Sequence, residues 1–133
     1  MLVVDASAIV ELLLSTPTGR RTVERIGTDH SLHSPDLLGI EVVSVLRRLT
    51  ARGEITAADA ERAVAELGAL GIETYEHAPL LDRMFGLRDV LTAYDAAHVA
   101  LAEGLTAPLL TCDAQLARSH GHDAVVELAT TGT

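Results

Sequence analysis

Leu91 to Asp113 reads LTAYDAAHVALAEGLTAPLLTCD, and the rest of the chain is organised around it. Thr92 caps a helix, and Asp95 falls in its first turn, where the helix dipole favours negative charge. Ala96 to Glu103 are strong helix formers, and Gly104 is placed to end the helix in a left-handed turn. Pro108 to Cys112 is an apolar run of strand length that stops at Asp113. Helix, turn and buried strand follow one another here, with an acid at each end. Both acids also have a plain structural use. Asp95 completes a capping box with Thr92, and Asp113 caps the next short helix. This stretch alone does not choose between caps and a site.

Upstream, Met1 to Asp5 (MLVVD) is a short buried strand that ends on a third acid. Ser7 is positioned to cap the helix that follows, whose SAIVELLL is apolar on nearly every side. Asp5 thus stands at the carboxyl end of the first strand, where open α/β sheets bind their ligands. Thr18 to Ile26 is a polar helix carrying Arg20, Arg21 and Arg25. Ser31 to His33 is a brief second strand, in which His30 and His33 point to opposite faces and make a poor metal pair. Ser34-Pro35 predicts a helix start, with Ser34 as cap and Pro35 in the first turn. That helix runs to Gly53 with Leu37, Leu38, Val42, Val45, Leu46 and Leu49 as its apolar stripe. Glu41 lies inside the stripe, offset from Leu37 and from Val45 by only about 40° around the axis. An ionised glutamate facing a core is costly unless it is paired or metal-bound. Arg47, Arg48 or another arginine would be the pairing alternative.

Thr56 to Leu70 forms a further helix, closed by Gly71, and Ile72 to Tyr75 a third strand. Pro79 opens a short helix through LLDRMFGLR, weakened by Gly86. After Asp113 come a short AQLAR helix, a loop with exposed His120 and His122, an edge strand over Ala124 to Leu128 and a frayed TTGT tail. Strands alternate with helices throughout, with no internal repeat or linker. This is the signature of a three-layer α/β/α domain with a mostly parallel sheet. At 133 residues the expectation is one domain, residues 1–133.

Composition narrows the function classes. The net charge is −9, and every basic residue other than histidine is an arginine. Such a chain is a poor general nucleic-acid binder, so contact with RNA or DNA must be local or assisted by metal ions. Tyr75, Phe85 and Tyr94 are the only aromatic residues, which argues against a base-stacking platform. No apolar run approaches the ~20 residues that span a bilayer. Asp5 and Glu11 interrupt the N-terminal apolar residues, which does not fit a signal peptide, and a cytoplasmic location is expected. The single cysteine, Cys112, excludes an internal disulfide and reads as a packed, inert thiol.

In a parallel sheet Asp5 and Asp113 reach the same edge automatically, and Glu41 and Asp95 can converge on it. Four carboxylates in one pocket repel each other unless a hard divalent cation with oxygen ligands, Mg²⁺ or Mn²⁺, lies among them.

These residues also carry a family likeness. VVDASAIVELL, LLGIEVVSVLRRL, LRDVLTAYDAAHVALAE and LLTCDAQLA together resemble the PIN-domain ribonucleases, and within them the VapC-type toxins of VapBC toxin–antitoxin modules. The likeness covers essentially the whole chain. Asp5, Glu41, Asp95 and Asp113 match the family's acidic quartet in order and context, and Ser7 and Thr111 match hydroxyl positions that support the acids. His98 departs from the family, which often has tyrosine there; it is expected on the helix surface. The resemblance implies Mg²⁺-dependent endonucleolytic cleavage of RNA, a cognate VapB-type antitoxin, a homodimer and a hetero-oligomer with the antitoxin. A phosphatase with Asp5 as nucleophile would need a second acid at position 7 and a later lysine, and the chain has Ser7 and no lysine. A module that only binds a partner has no need of the full quartet.

Overall fold

The structure is a computed structural model that describes residues 1–27 and 30–129. Its centre is a five-stranded sheet formed by β1 (Leu2–Val4), β2 (Leu32–Pro35), β3 (Glu73–Tyr75), β4 (Leu109–Thr111) and β5 (Val126–Leu128). All four pairings are parallel, in the order β3-β2-β1-β4-β5. The chain therefore builds outward from β1 to β3, returns, and builds the other way from β4. The reversal leaves a crevice between the carboxyl ends of β1 and β4, the place where doubly wound sheets bind ligands.

Strand periodicity separates two cores. Leu2, Val4 and Leu110 face α1 (Ala6–Leu13), α2 (Pro17–Ile26), α3 (Leu38–Ala51) and α4 (Ala57–Ala69). Val3 and Leu109 face the opposite way, toward α5 (Leu81–Gly86), α6 (Ala93–Leu105) and α7 (Ala114–Ala117). Successive side chains of a strand point to opposite faces, so the VV and LL runs feed both cores at once. The result is the expected α/β/α arrangement, with a sheet that is parallel throughout its described strands. Gly19 lets α2 lie directly on α1: a Cβ there would sit 2.0 Å from the Glu11 carbonyl oxygen.

Several local readings change. Ser34 and Pro35 belong to β2, where the Ser34 hydroxyl donates to the Val4 carbonyl and Pro35 pairs with Tyr75 at the strand's end. A terminal position tolerates proline's missing N–H. The start of α3 is instead served from a distance, by the Leu37 N–H donating to Nε2 of His77 at 2.9 Å. Asp5, rather than Ser7, caps α1. Gly104 stays inside α6, and the left-handed turn falls on Thr106 at φ 50°. A non-glycine residue there costs roughly 1–2 kcal/mol. His122 is half-buried, accepting the Ala124 N–H and bonded to Ser119, while His120 is exposed as expected. The frayed tail expected over 130–133 lies outside the described residues.

Candidate active site

Asp5 is the first residue past β1, and its carboxylate is fixed by three donors. Oδ1 accepts from the Ala8 N–H at 3.0 Å and from the Ser7 hydroxyl at 2.7 Å, and Oδ2 accepts from the Thr111 hydroxyl. A hydroxyl has one proton to give, so Ser7 and Thr111 spend theirs on Asp5 and accept from the backbone of β4's exit. Ser7 Oγ takes the Cys112 N–H at 2.9 Å, and Thr111 Oγ1 takes the Asp113 N–H at 3.0 Å. The two supporting hydroxyls expected from the sequence thereby tie the end of β1 to the end of β4. This hydrogen-bonded ring closes the crevice and holds Asp5 in one rotamer.

Asp113 follows β4 and caps α7, with Oδ1 accepting from the N–H groups of Gln115 and Leu116. Thr92 caps α6 and accepts the Asp95 N–H at 3.2 Å, which sets Asp95 in the first turn. Glu41 projects from the first turn of α3. These four residues, with Ser7 and His98, line one groove of about 690 Å³. Capping and lining are compatible roles: Asp113 caps through Oδ1 alone and leaves Oδ2 for the groove, while Asp5 caps through Oδ1 and its Oδ2, with one donor, keeps a lone pair.

His98 is the component that sequence reasoning misplaced. It is 1% exposed, within α6, whose residues from Ala96 to Ala102 are all buried. A signal was present: seven consecutive residues with no polar face mark a helix buried all round. The ring nitrogen Nδ1 bonds to the Tyr94 carbonyl at 3.0 Å, and Nε2 points at Glu41 Oε1. Among the described residues no arginine, Arg47 and Arg48 included, makes an ion pair with Glu41, so the arginine alternative fails.

The electrostatics follow from crowding. Burial, then the charges of Asp5 and Asp95, push the Glu41 carboxyl up to about 7. Burial, then Asp113, raises Asp95 as well, with Asp5 adding to the effect and His98 opposing it. His98 is lowered by burial, against the pull of its bond to Tyr94 and of the acids nearby. Burial, then Asp5 and Glu11, pushes the Cys112 thiol up to about 11, in keeping with an inert, packed sulfur.

Among the described residues no three His, Cys, Asp or Glu side chains form a ready-made metal cage. The donor set nonetheless fits a hard divalent cation. Mg²⁺ keeps several waters and binds through one or two carboxylates, and the groove offers carboxylate oxygens of which Glu41 Oε1 is buried without a partner.

Comparison with known proteins agrees with this geometry. The family model described as PIN domain matches residues 2–120. The chain is 40% identical over 128 residues to Ribonuclease VapC12 of Mycobacterium tuberculosis, covering 96% of this chain and 98% of that protein. It is also 40% identical over 116 residues to Ribonuclease VapC9 of the same organism, covering 87% and 88%. The crystal structure of PAE2754 from Pyrobaculum aerophilum superimposes with a TM-score of 0.68 at 25% identity, covering 93% of this chain and 83% of the other. A toxin-antitoxin complex from Klebsiella pneumoniae shares the fold, with a TM-score of 0.68 at 13% identity, covering 98% of each chain. A sheet parallel throughout its described strands, with four acids lining the groove at its switch point, together with relatives 40% identical along nearly its full length, makes this chain a member of the PIN domain family, in its VapC ribonuclease branch.

Proposed function

We propose that the protein is a divalent-metal-dependent endoribonuclease, the toxin of a toxin–antitoxin pair, restrained by a cognate VapB-type antitoxin. The observation that carries the reading is the lining of one groove by Asp5, Glu41, Asp95 and Asp113, drawn from four separate elements. The relatives named as ribonucleases, and the family to which the chain belongs, support the choice of substrate and partner.

In this reading Asp5, Asp95 and Glu41 would hold the main Mg²⁺ ion, with Mn²⁺ as a substitute. Asp113 completes the site directly or through water. Such an ion supplies Lewis acidity at the phosphodiester and a bound water of lowered pKa, for in-line attack. Ser7 and Thr111 keep both oxygens of Asp5 oriented, which is positioning and not nucleophilic work. Among the described residues neither hydroxyl is hydrogen-bonded to a histidine, so neither is set up as a covalent nucleophile. Glu41, raised to about 7, would carry a proton for part of the time near neutrality, and a cation bound there would compete with that proton. The assembly is a homodimer that joins the antitoxin as a hetero-oligomer.

The test is a gel assay of RNA cleavage with Mg²⁺, repeated in chelator. Internal cuts that vanish in chelator are the expected result. A protein that binds RNA or antitoxin but cuts nothing under any divalent cation would be a binding module.

A further inference from the structure

The groove holds a residue whose chemistry the acids do not explain. Glu41, Ser44 and Arg48 all line it, and their spacing in α3 puts them on one face of the helix. Seven residues of helix carry Arg48 about 10 Å along the axis from Glu41, with almost no rotation around it. Arg48 is the one arginine lining the groove, among the carboxylates of Asp5, Glu11, Glu41, Asp95 and Asp113. The guanidinium is exposed, and among the described residues no carboxylate lies within ion-pair distance of it. Arg25, Arg62 and Arg83 are by contrast paired, with Glu127, Asp59 and Glu103, and the other arginines without an ion pair lie outside the groove.

A polyanion faces an obvious difficulty here. The chain carries −9 and the groove is acidic, so a divalent ion at the scissile phosphate leaves the neighbouring phosphates opposed by the field. A fixed cation one groove-length away relieves that repulsion for one of them. Guanidinium suits the task because it stays charged and offers forked donors to phosphate oxygens.

We propose that Arg48 seats a phosphate of the RNA strand next to the one that is cut, and so sets the path of the strand along the face of α3 that carries Glu41 and Ser44. The inference rests on the nuclease reading above and adds a positioning residue to it. The contact is to backbone, so it contributes affinity and register irrespective of base sequence.

A short fluorescein-labelled uridylate oligomer, titrated by anisotropy over a range of NaCl concentrations with Ca²⁺ in place of Mg²⁺ and checked by gel to stay intact, tests it. The native protein, Arg48→Gln and Arg48→Lys are compared, and an exposed side chain leaves folding undisturbed in both variants. Arg48→Gln is expected to bind about tenfold more weakly at low salt. Its slope of log affinity against log salt should be shallower by about 0.7, the value for one lost phosphate contact on a single strand. Arg48→Lys should keep the native slope while losing part of the affinity. A native slope in Arg48→Gln overturns the seat, whatever its affinity. If the native protein cleaves RNA yet does not bind the oligomer, the seat fails and the nuclease reading stands. If it cleaves no RNA with any divalent cation, the nuclease reading falls and takes the seat with it.

Discussion

Glu41 Oε1 lies 3.5 Å from His98 Nε2, and neither atom has a hydrogen-bond partner among the described residues. Both atoms are buried, where an unsatisfied polar group costs about 1–3 kcal/mol. His98 is oriented by its Nδ1 bond to Tyr94, which aims Nε2 into the acid cluster from the α6 side. The pair thus spans the groove between α3 and α6 with unused bonding capacity on each wall. A proton carried by one of the two atoms would let it donate to the other, and such a bond would couple the two helices that bring Glu41 and Asp95 together.

The raised Glu41 makes metal-free stability fall with pH. Its folded value, about 7, exceeds the ordinary 4.5, so its contribution is whole below 4.5 and lost as pH rises through about 7. His98 works in the opposite sense: its folded value is depressed, so its contribution is present above 6.5 and lost at lower pH. From 6.5 upward His98 adds nothing further, and the decline through about 7 is that of Glu41, on top of whatever the raised Asp95 contributes in the same sense. Thermal melts in chelator should therefore show the native Tm declining across that upper window and a Glu41→Gln variant holding level. Parallel curves would mean that Glu41 is ordinarily ionised and well solvated.

Asp95→Asn and Asp5→Asn are each expected to lower RNA cleavage by ~10²–10³ or more, on the scale of losing one charge-stabilising element at a reacting phosphate. Thr92 still caps α6 in the Asp95 variant. In the Asp5 variant the amide gives a proton to Thr111, whose hydroxyl turns to accept it. Circular dichroism should thus stay native while activity is lost. Near-native cleavage by either variant removes that residue from the site.

The sequence disclosed the layers and the acids because both follow from short-range rules. Apolar runs of strand length between helices force a parallel sheet, and acids that end its strands must share an edge. Ser34-Pro35 misled because the pair has the chemistry of a helix start, while its place in β2 is decided by Val4 and Tyr75, each more than 25 positions away in the chain. The service of α3 by His77 is equally non-local, joining positions 37 and 77. Gly104 was overridden by continuation of α6 to Leu105. His98 differs, since the apolar run around it announced a buried helix and only the custom of reading histidine as polar put it outside.

For the antitoxin, the acidic groove predicts an arginine. A guanidinium inserted among Asp5, Glu41, Asp95 and Asp113 would pair bidentately with carboxylate and compete with a cation held by the same acids. Binding of the antitoxin, followed by calorimetry, should weaken as NaCl is raised, and excess Mg²⁺ should oppose inhibition. A complex indifferent to both is held through apolar surfaces alone and inhibits by occlusion.

The acid cluster should also act as a store of repulsion when no metal is present. Asp95 is raised by burial first and by Asp113 next, and each contribution disappears when its charge does. Asp95→Asn and Asp113→Asn should therefore melt higher than the native protein in chelator. About 1 kcal/mol moves Tm by roughly 4 °C in a domain of this size, so a rise of a few degrees is expected. Capping works the other way only weakly, because asparagine at position 113 is itself a good cap and position 95 is not the cap residue. Added Mg²⁺ should then raise the native Tm, since it binds the folded chain only, and should raise the variants' much less. Four melts per protein, with and without chelator and at low and high Mg²⁺, separate the cases. Equal metal responses in all three proteins would mean that Asp95 and Asp113 serve only the helices they begin, and that the cation, if one binds, sits elsewhere.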